Sequence, residues 1–454
     1  MNTPTLFLLA HCFLTPPAPF QEGSRQVARL YPDPNDLTLR DRFGEALDLD
    51  GATLLVADPF YDPAGGAAAQ GAVFVFGPSD STWVELARLG SSALDGGDRF
   101  GASVAIDGDT AVVGAPYDEA AGPAAAGAAF VFVRRAGVWS EEAPLLASDP
   151  GVFDHFGSAV AIEGDTVAVG ANLDDAGSGF GGGSAYVFER SGTTWTQVAK
   201  LVASDSQAGD ELGTSIALSG PTIVVGAPKD DSGAGSAYVF QRRGTAWQEE
   251  VKLTAADGAG GDSFGTSVAI DGATLVVGSP WSDTGAAYVF ARSNVEWLQQ
   301  AKLVDFGAAV VDRFGTAVDI EGDRIVVGLP YNHEGGLATG AVQLFVREDR
   351  TWTGRLEMIG SESDPNDFLG SSVAISGDLV AGGAPRGETP PTEVQTGEAY
   401  LFEIVPPALV ESYCTGKPNS LGCVPRMSWT GAPSASNPTP FTLVCSDVLN
   451  YQSG

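Results

Sequence analysis

One stretch, Phe264 to Pro280 (FGTSVAIDGATLVVGSP), recurs in recognisable copies from one end of the chain to the other. A chain built this way folds as a stacked array, because no single copy can bury its own apolar face. Aligned on the glycine after Phe or Leu, the copies fall at Gly44, Gly101, Gly157, Gly213, Gly265, Gly315 and Gly370, separated by 57, 56, 56, 52, 50 and 55 residues. Seven such units account for most of the 454 residues as one closed domain.

Each unit opens with an aspartate three positions before that glycine (Asp41, Asp98, Asp154, Asp210, Asp262, Asp312, Asp367). A short apolar run follows, then an Asp-Gly or Glu-Gly turn such as Asp107-Gly108 or Glu163-Gly164, then a β-branched run such as Val224 to Gly226. Two strands joined by a glycine turn make a hairpin. A variable loop leads to a third strand, Ala185 to Phe188 or Ala287 to Phe290, whose aromatics two apart share one face. A fourth strand carries Trp and ends in Lys/Arg-Leu, as in Trp195 to Leu201. With 59 Gly, 44% apolar and only 18% charged residues, the chain is expected to be all-β. Four antiparallel strands in seven units predict a seven-bladed β-propeller.

The seventh unit lacks its own fourth strand, running after Phe402 into Pro406-Pro407. The missing strand is read at the other end: Ser24 to Leu30 (SRQVARL) matches Thr196 to Leu201 (TQVAKL). The N-terminal strand should therefore pair with residues 398–402 and close the ring, which removes an exposed edge. This places the propeller at residues 24–403, followed by a short irregular Pro/Ser-rich tail at 404–454. In that tail Cys414 and Cys423, nine apart, are read as a small disulfide loop. At the start, the apolar run Thr5–Leu14 before Pro16 and Pro17 has the length of a signal-peptide core and is too short to span a bilayer. Residues 1–20 are read as an export signal, which implies an extracellular or cell-surface location.

These Phe-Gly…Gly-Ala-Pro units resemble FG-GAP repeats, the building blocks of integrin alpha-subunit propellers and of many secreted bacterial proteins. Gly114-Ala115-Pro116, Gly226-Ala227-Pro228 and Gly383-Ala384-Pro385 match fully, whereas Ala57-Asp58-Pro59 and Gly328-Leu329-Pro330 drift. The resemblance implies a propeller and a calcium loop between the first two strands. Here the corresponding segments, such as Asp107-Gly108-Asp109 and Asp271-Gly272-Ala273, are too short to supply six or seven oxygen ligands. No cofactor is therefore expected; with the family's loop absent, calcium stays open only through the acidic face.

Net charge is −33, which disfavours nucleic acid and anionic lipid surfaces as partners. The acids gather on the face that carries the loops between second and third strands: Asp118, Glu119, Asp174, Asp175, Asp230, Asp231 and Asp283 are the candidate ligand face. The opposite face collects arginines, among them Arg134, Arg190, Arg292 and Arg347. The seven repeated aspartates are expected to accept backbone N–H groups at the turn into each first strand. Histidine is confined to His11, His155 and His333, all read as surface residues, and suggests no triad or metal cluster. Polar residues recurring in register are what structural roles produce. The expected function is a secreted, monomeric, non-enzymatic propeller binding a protein or glycan through variable loops. A polysaccharide lyase or hydrolase, and an architectural module of an exported assembly, are the alternatives.

Overall fold

The computed structural model describes residues 23–32, 41–62, 69–176, 180–294, 296–307, 312–333, 337–389, 394–405, 427–429 and 443–445. Residues 1–20, Cys414 and Cys423 lie outside them. The chain divides into one compact unit up to Pro407 and a second from Ala408. In the second, Met427–Trp429 pairs antiparallel with Leu443–Cys445, and the rest of the tail lies outside the described residues.

The first unit is the expected propeller. Of seven four-stranded antiparallel sheets, six run in sequence order and the seventh takes Gly23–Leu30 as its outermost strand. Their first strands, Ala46–Asp50, Ser103–Asp107, Phe156–Glu163, Ser215–Ser219, Ser267–Asp271, Val318–Glu321 and Ser372–Ser376, pack side by side, and the last returns to the first. In the blade that contains the opening motif, Ser267 pairs with Gly278, Ser279 with Ala286 and Ala287 with Leu303. A bulge at Val289/Phe290 breaks the outer ladder, and the same irregularity recurs in the other outer pairs. Such bulges increase local twist, which each blade needs to lie against its neighbour.

The Phe-Gly pair is the joint between blades. Phe264 is fully buried and meets Tyr288 and Phe290 edge to face, with centroids 5.5 and 6.0 Å apart. Burial of such a ring stabilises by about 2–3 kcal/mol. Its backbone bridges Gly235 of the preceding blade, as Phe100 bridges Gly71 and Phe43 bridges Gly397. A Cβ on Gly235 would lie 2.1 Å from the Phe264 carbonyl oxygen, so only glycine permits the approach.

The ring closes as the sequence indicates. Gly23–Leu30 pairs antiparallel with Glu398–Val405, Ser24 opposite Ile404 and Leu30 opposite Ala399. Arg29 takes the place that Lys200, Lys252 and Lys302 hold in other blades. Among the described residues no helix is long and apolar enough to cross a membrane.

Candidate functional site

The two faces of the ring are built differently. On one, each hairpin turn is tied to the next: the Gly108 N–H donates to Asp50 at 2.6 Å, Gly164 to Asp107 at 2.5 Å, Gly272 to Ser219 at 3.1 Å and Gly322 to Asp271 at 2.6 Å. The circle continues through Glu163 and Glu321 and closes where Gly51 donates to Ser376 at 3.0 Å. The Asp-Gly and Glu-Gly turns are thus joints between blades. Four arginines of this face are also committed: Arg134 pairs with Asp109 at 2.6 Å, Arg190 with Asp165 at 2.7 Å, Arg292 with Glu250 at 2.6 Å and Arg347 with Asp323 at 2.6 Å.

On the other face lie the connections between second and third strands, which differ in length, from 280–285 in blade five to 385–397 in blade seven. The acids predicted as a ligand face divide here into two groups. Asp118, Asp174 and Asp230 are buried, whereas Glu119, Asp175, Asp231 and Asp283 are exposed. Lys200 Nζ stands 2.7 Å from both Asp149 and Asp174, and the Tyr186 hydroxyl lies 2.9 and 3.0 Å from the same two carboxylates. Blade four repeats this with Lys252, Tyr238, Asp205 and Asp230, and Asp231 adds a contact at 3.0 Å. Burial pushes Asp230 up, but the hydrogen bonds from Lys252, Ser236 and Tyr238 outweigh it and hold the carboxyl below its usual range. Blade two has Pro144 and Phe130 where the Lys and Tyr would stand. There burial, with Asp98 and Glu119 adding to it, pushes Asp118 up to about 6.

Five of the seven repeated aspartates, Asp98, Asp154, Asp210, Asp262 and Asp367, accept backbone N–H groups, such as Asp98 from Asp95 at 2.5 Å, whereas Asp312 faces His333 Nδ1 at 3.5 Å. Among the described residues no group of three or more His, Cys, Asp or Glu is placed to hold a metal ion.

Inside the ring the repeat is broken twice. Five first strands carry alanine (Ala105, Ala161, Ala217, Ala269, Ala374) where blades one and six carry Asp48 and Asp319. Each accepts the edge N–H of the next blade, Ile106 and Ile375, at 2.8 Å. Burial pushes Asp48 up to about 6, with Asp50 and Asp107 adding to it; burial and the Asp48 charge push Asp319 up to about 7, with Glu321 adding. A carboxyl raised above its unfolded value near 4 binds more protons in the native state. Its stabilisation is therefore complete below about pH 4 and is lost as pH rises through about 6 to 7. The melting temperature should fall between about pH 5 and pH 8, and Asp48→Asn/Asp319→Asn should flatten that fall. Parallel pH profiles for the two proteins would contradict this assignment.

At the mouth of the ring, on the variable-loop face, two positions per blade form a circle, and their side chains meet in two arcs. One is the residue before Phe or Leu of the Phe-Gly pair and the other follows Pro of Gly-Ala-Pro, or the residue replacing it. Arg99 is stacked between Phe60 and Tyr117, its guanidinium carbon 4.9 and 4.2 Å from the ring centroids. Tyr117 meets His155 at 4.6 Å. Arg313 lies 4.0 Å from both Trp281 and Tyr331, Tyr331 meets Phe368 at 4.9 Å, and Arg386 covers Phe368 at 4.9 Å. Arg42 over Phe60, at 4.7 Å, begins the first arc, and it lines the same depression as Arg386. On the far side Lys229 pairs with Glu211 at 3.3 Å. His155 is thus half-buried in this circle, its pKa lowered by burial and by Arg99.

The circle escapes a reading of the sequence because its members vary from unit to unit and touch only across blade boundaries. Their one signal is positional, two fixed slots in an otherwise constant motif. A family model described as FG-GAP repeat matches residues 83–132, 139–188, 195–240, 247–290, 297–345 and 352–402, well over half of the chain. No curated protein matches it in sequence. Each matched segment runs from the Trp strand of one blade to the third strand of the next, the span that contains the Phe-Gly joint. With that joint formed in all seven blades, the chain belongs to the FG-GAP repeat family.

Proposed function

We propose that the protein is an exported, non-catalytic binding module that holds a protein or glycan partner on its variable-loop face. The observation that carries this reading is the asymmetry of the two faces. One is locked turn to turn by a circle of hydrogen bonds, and the other spends its sequence variation on loops of unequal length. Loops on a rigid scaffold are where recognition residues concentrate. An extracellular or cell-surface location fits the family and the apolar start of the chain.

Immobilised full-length protein screened against glycan and surface-protein arrays should show a partner whose binding weakens about tenfold or more when the 116–127 and 385–397 loops are shortened to the length of 280–285. Unchanged binding after both replacements, or release of product from a polysaccharide, would overturn it.

A further inference from the structure

Within that binding face the mouth of the ring has a chemistry opposite to the rest of the molecule. The chain carries 57 acidic against 24 basic residues, and most described Lys and Arg have a carboxylate within 4 Å. Among the described residues five arginines form no ion pair: Arg243 and Arg350 in exposed outer turns, and Arg99, Arg313 and Arg386, which alone are stacked on aromatic rings. In a protein this acidic, a cation left without a carboxylate at a half-open site is a group kept available.

The backbone under these side chains is held in an uncommon conformation. Arg99, His155, Glu211, Ser263, Arg313 and Phe368 all have φ between 55° and 61°. A non-glycine residue there costs about 1 kcal/mol, and such strain collects where a side chain must be aimed. The positions are fixed by main-chain bonds to the preceding blade, such as Arg99 N–H to Ala69 and Phe368 N–H to Ala338, both at 3.3 Å. Stacking on aromatic faces then fixes the guanidinium plane and leaves its N–H edge free.

Two depressions of about 250 and 290 Å³ open over this arc, the first against Arg99 and the second against Arg313 and Arg386. They share Arg42 and Glu45, and hydroxyls line both, Ser158 in the first and Thr316 and Ser371 in the second.

We propose that this arc of the mouth is an anion-recognition site for an acidic sugar, one carrying carboxylate or sulfate. The planar guanidinium edge matches either group with two parallel hydrogen bonds. Glu45, paired with Arg42 at 3.5 Å, stands between the depressions and favours a ligand rich in hydroxyl donors. It can accept hydrogen bonds from the several hydroxyls that a sugar carries beside its anion, whereas an acidic peptide brings only main-chain N–H donors beside its carboxylates. The surrounding acidic loops also oppose a long polyanion. Their field is screened within about 8 Å at physiological salt, so a short oligosaccharide reaches the mouth and a continuous acidic chain is disfavoured.

The proposal rests on the binding-module reading and can fail without it. The full chain is titrated calorimetrically with oligogalacturonate, with a sulfated oligodextran, with fully methyl-esterified oligogalacturonate and with oligoglutamate. Saturable binding of either anionic sugar is expected, weakened about tenfold or more by esterification or by Arg99→Ala/Arg313→Ala. Arg99→Lys/Arg313→Lys, which keeps charge and loses the fork, should fall between, and Arg134→Ala on the opposite face should bind as wild type. Which anion binds tells carboxylate from sulfate. Failure of both anionic sugars to bind, equal binding of the ester, equal binding by a folded Arg→Ala variant, or tighter binding of oligoglutamate would each overturn the site. Loop-dependent capture of another partner would persist in that case, and its absence alone would count against the module.

Discussion

Arg29→Ala is expected to cost about 3–5 kcal/mol of stability and to loosen the ring at its seventh blade. Arg29 is the only side chain that neutralises Glu398 among the described residues, and Glu398 is completely buried. Arg29 Nε donates to Glu398 Oε2 at 2.8 Å, a second guanidinium nitrogen reaches Oε1, and the same group bonds the Glu388 carbonyl at 2.9 Å. Removing it leaves a buried carboxylate with only the Tyr400 hydroxyl, at 2.8 Å, as a recorded donor. Breaking one side of a buried pair costs more than the pair is worth, because the abandoned charge keeps its desolvation penalty. Burial already pushes Glu398 up against the opposing pull of Arg29. Without Arg29 the group should stay protonated to higher pH, so the loss should grow as pH rises from about 5 to 8. Glu398→Gln in the same chain should restore much of the stability. Arg25→Ala, which breaks an exposed pair with Glu403, should cost at most about 1 kcal/mol. Denaturant unfolding gives the energies, and hydrogen exchange along Glu398–Val405 locates the opening. An Arg29→Ala protein as stable as Arg25→Ala would show that pairing of the N-terminal strand does not depend on this clasp.

That clasp marks how far a sequence reading reaches. The blades are legible because their determinants are local and repeated: alternation in Ser267–Asp271, the Asp271-Gly272 turn, the aromatics Tyr288 and Phe290 on one face. Closure is legible too, since Gln26 to Leu30 copies the end of a fourth strand. The exchange of Lys for Arg29 opposite a buried Glu398 is visible only once the two ends of the chain meet. The candidate site is less legible. Asp118, Asp174 and Asp230 look like surface acids beside Glu119, Asp175 and Asp231, yet the first of each pair turns inward. What turns Asp174 and Asp230 inward is a Lys and a Tyr on two other strands of the blade, too distant in sequence to be read as partners. The mouth is harder still. Arg99 and Phe60 stand 39 positions apart and meet only because one blade stacks on the next.

The same stacking makes Gly265→Ala the second severe substitution, and Gly272→Ala its control. Both glycines have positive φ, +94° and +54°, so both substitutions carry a backbone cost of about 1 kcal/mol. They differ in what a methyl group would meet. At Gly272, in the turn, nothing lies within 4 Å of the new Cβ. At Gly265 the Cβ would lie 2.3 Å from the Ser236 carbonyl oxygen and 3.2 Å from the Ala227 nitrogen, both in the preceding blade. Backbone cannot rotate away as a side chain can, so the blades must separate. Overpacking of this kind adds about 1–3 kcal/mol, which brings the expected loss to about 2–4 kcal/mol against about 1 for the control. Separation would also stretch the Ser215 hydroxyl's bond to the Gly265 carbonyl, now 2.8 Å. The consequence extends to the mouth, because the residue two positions before each such glycine is the one aimed into the circle. Gly101→Ala should therefore weaken anionic-sugar binding through Arg99, while Gly108→Ala, in the turn of the same blade, should not. Denaturant midpoints and oligogalacturonate titrations of these four variants test both steps. Equal losses in the two alanine pairs would mean that the blades have room to part, and that neither the joint nor the aim of the rim arginines depends on the Phe-Gly glycine.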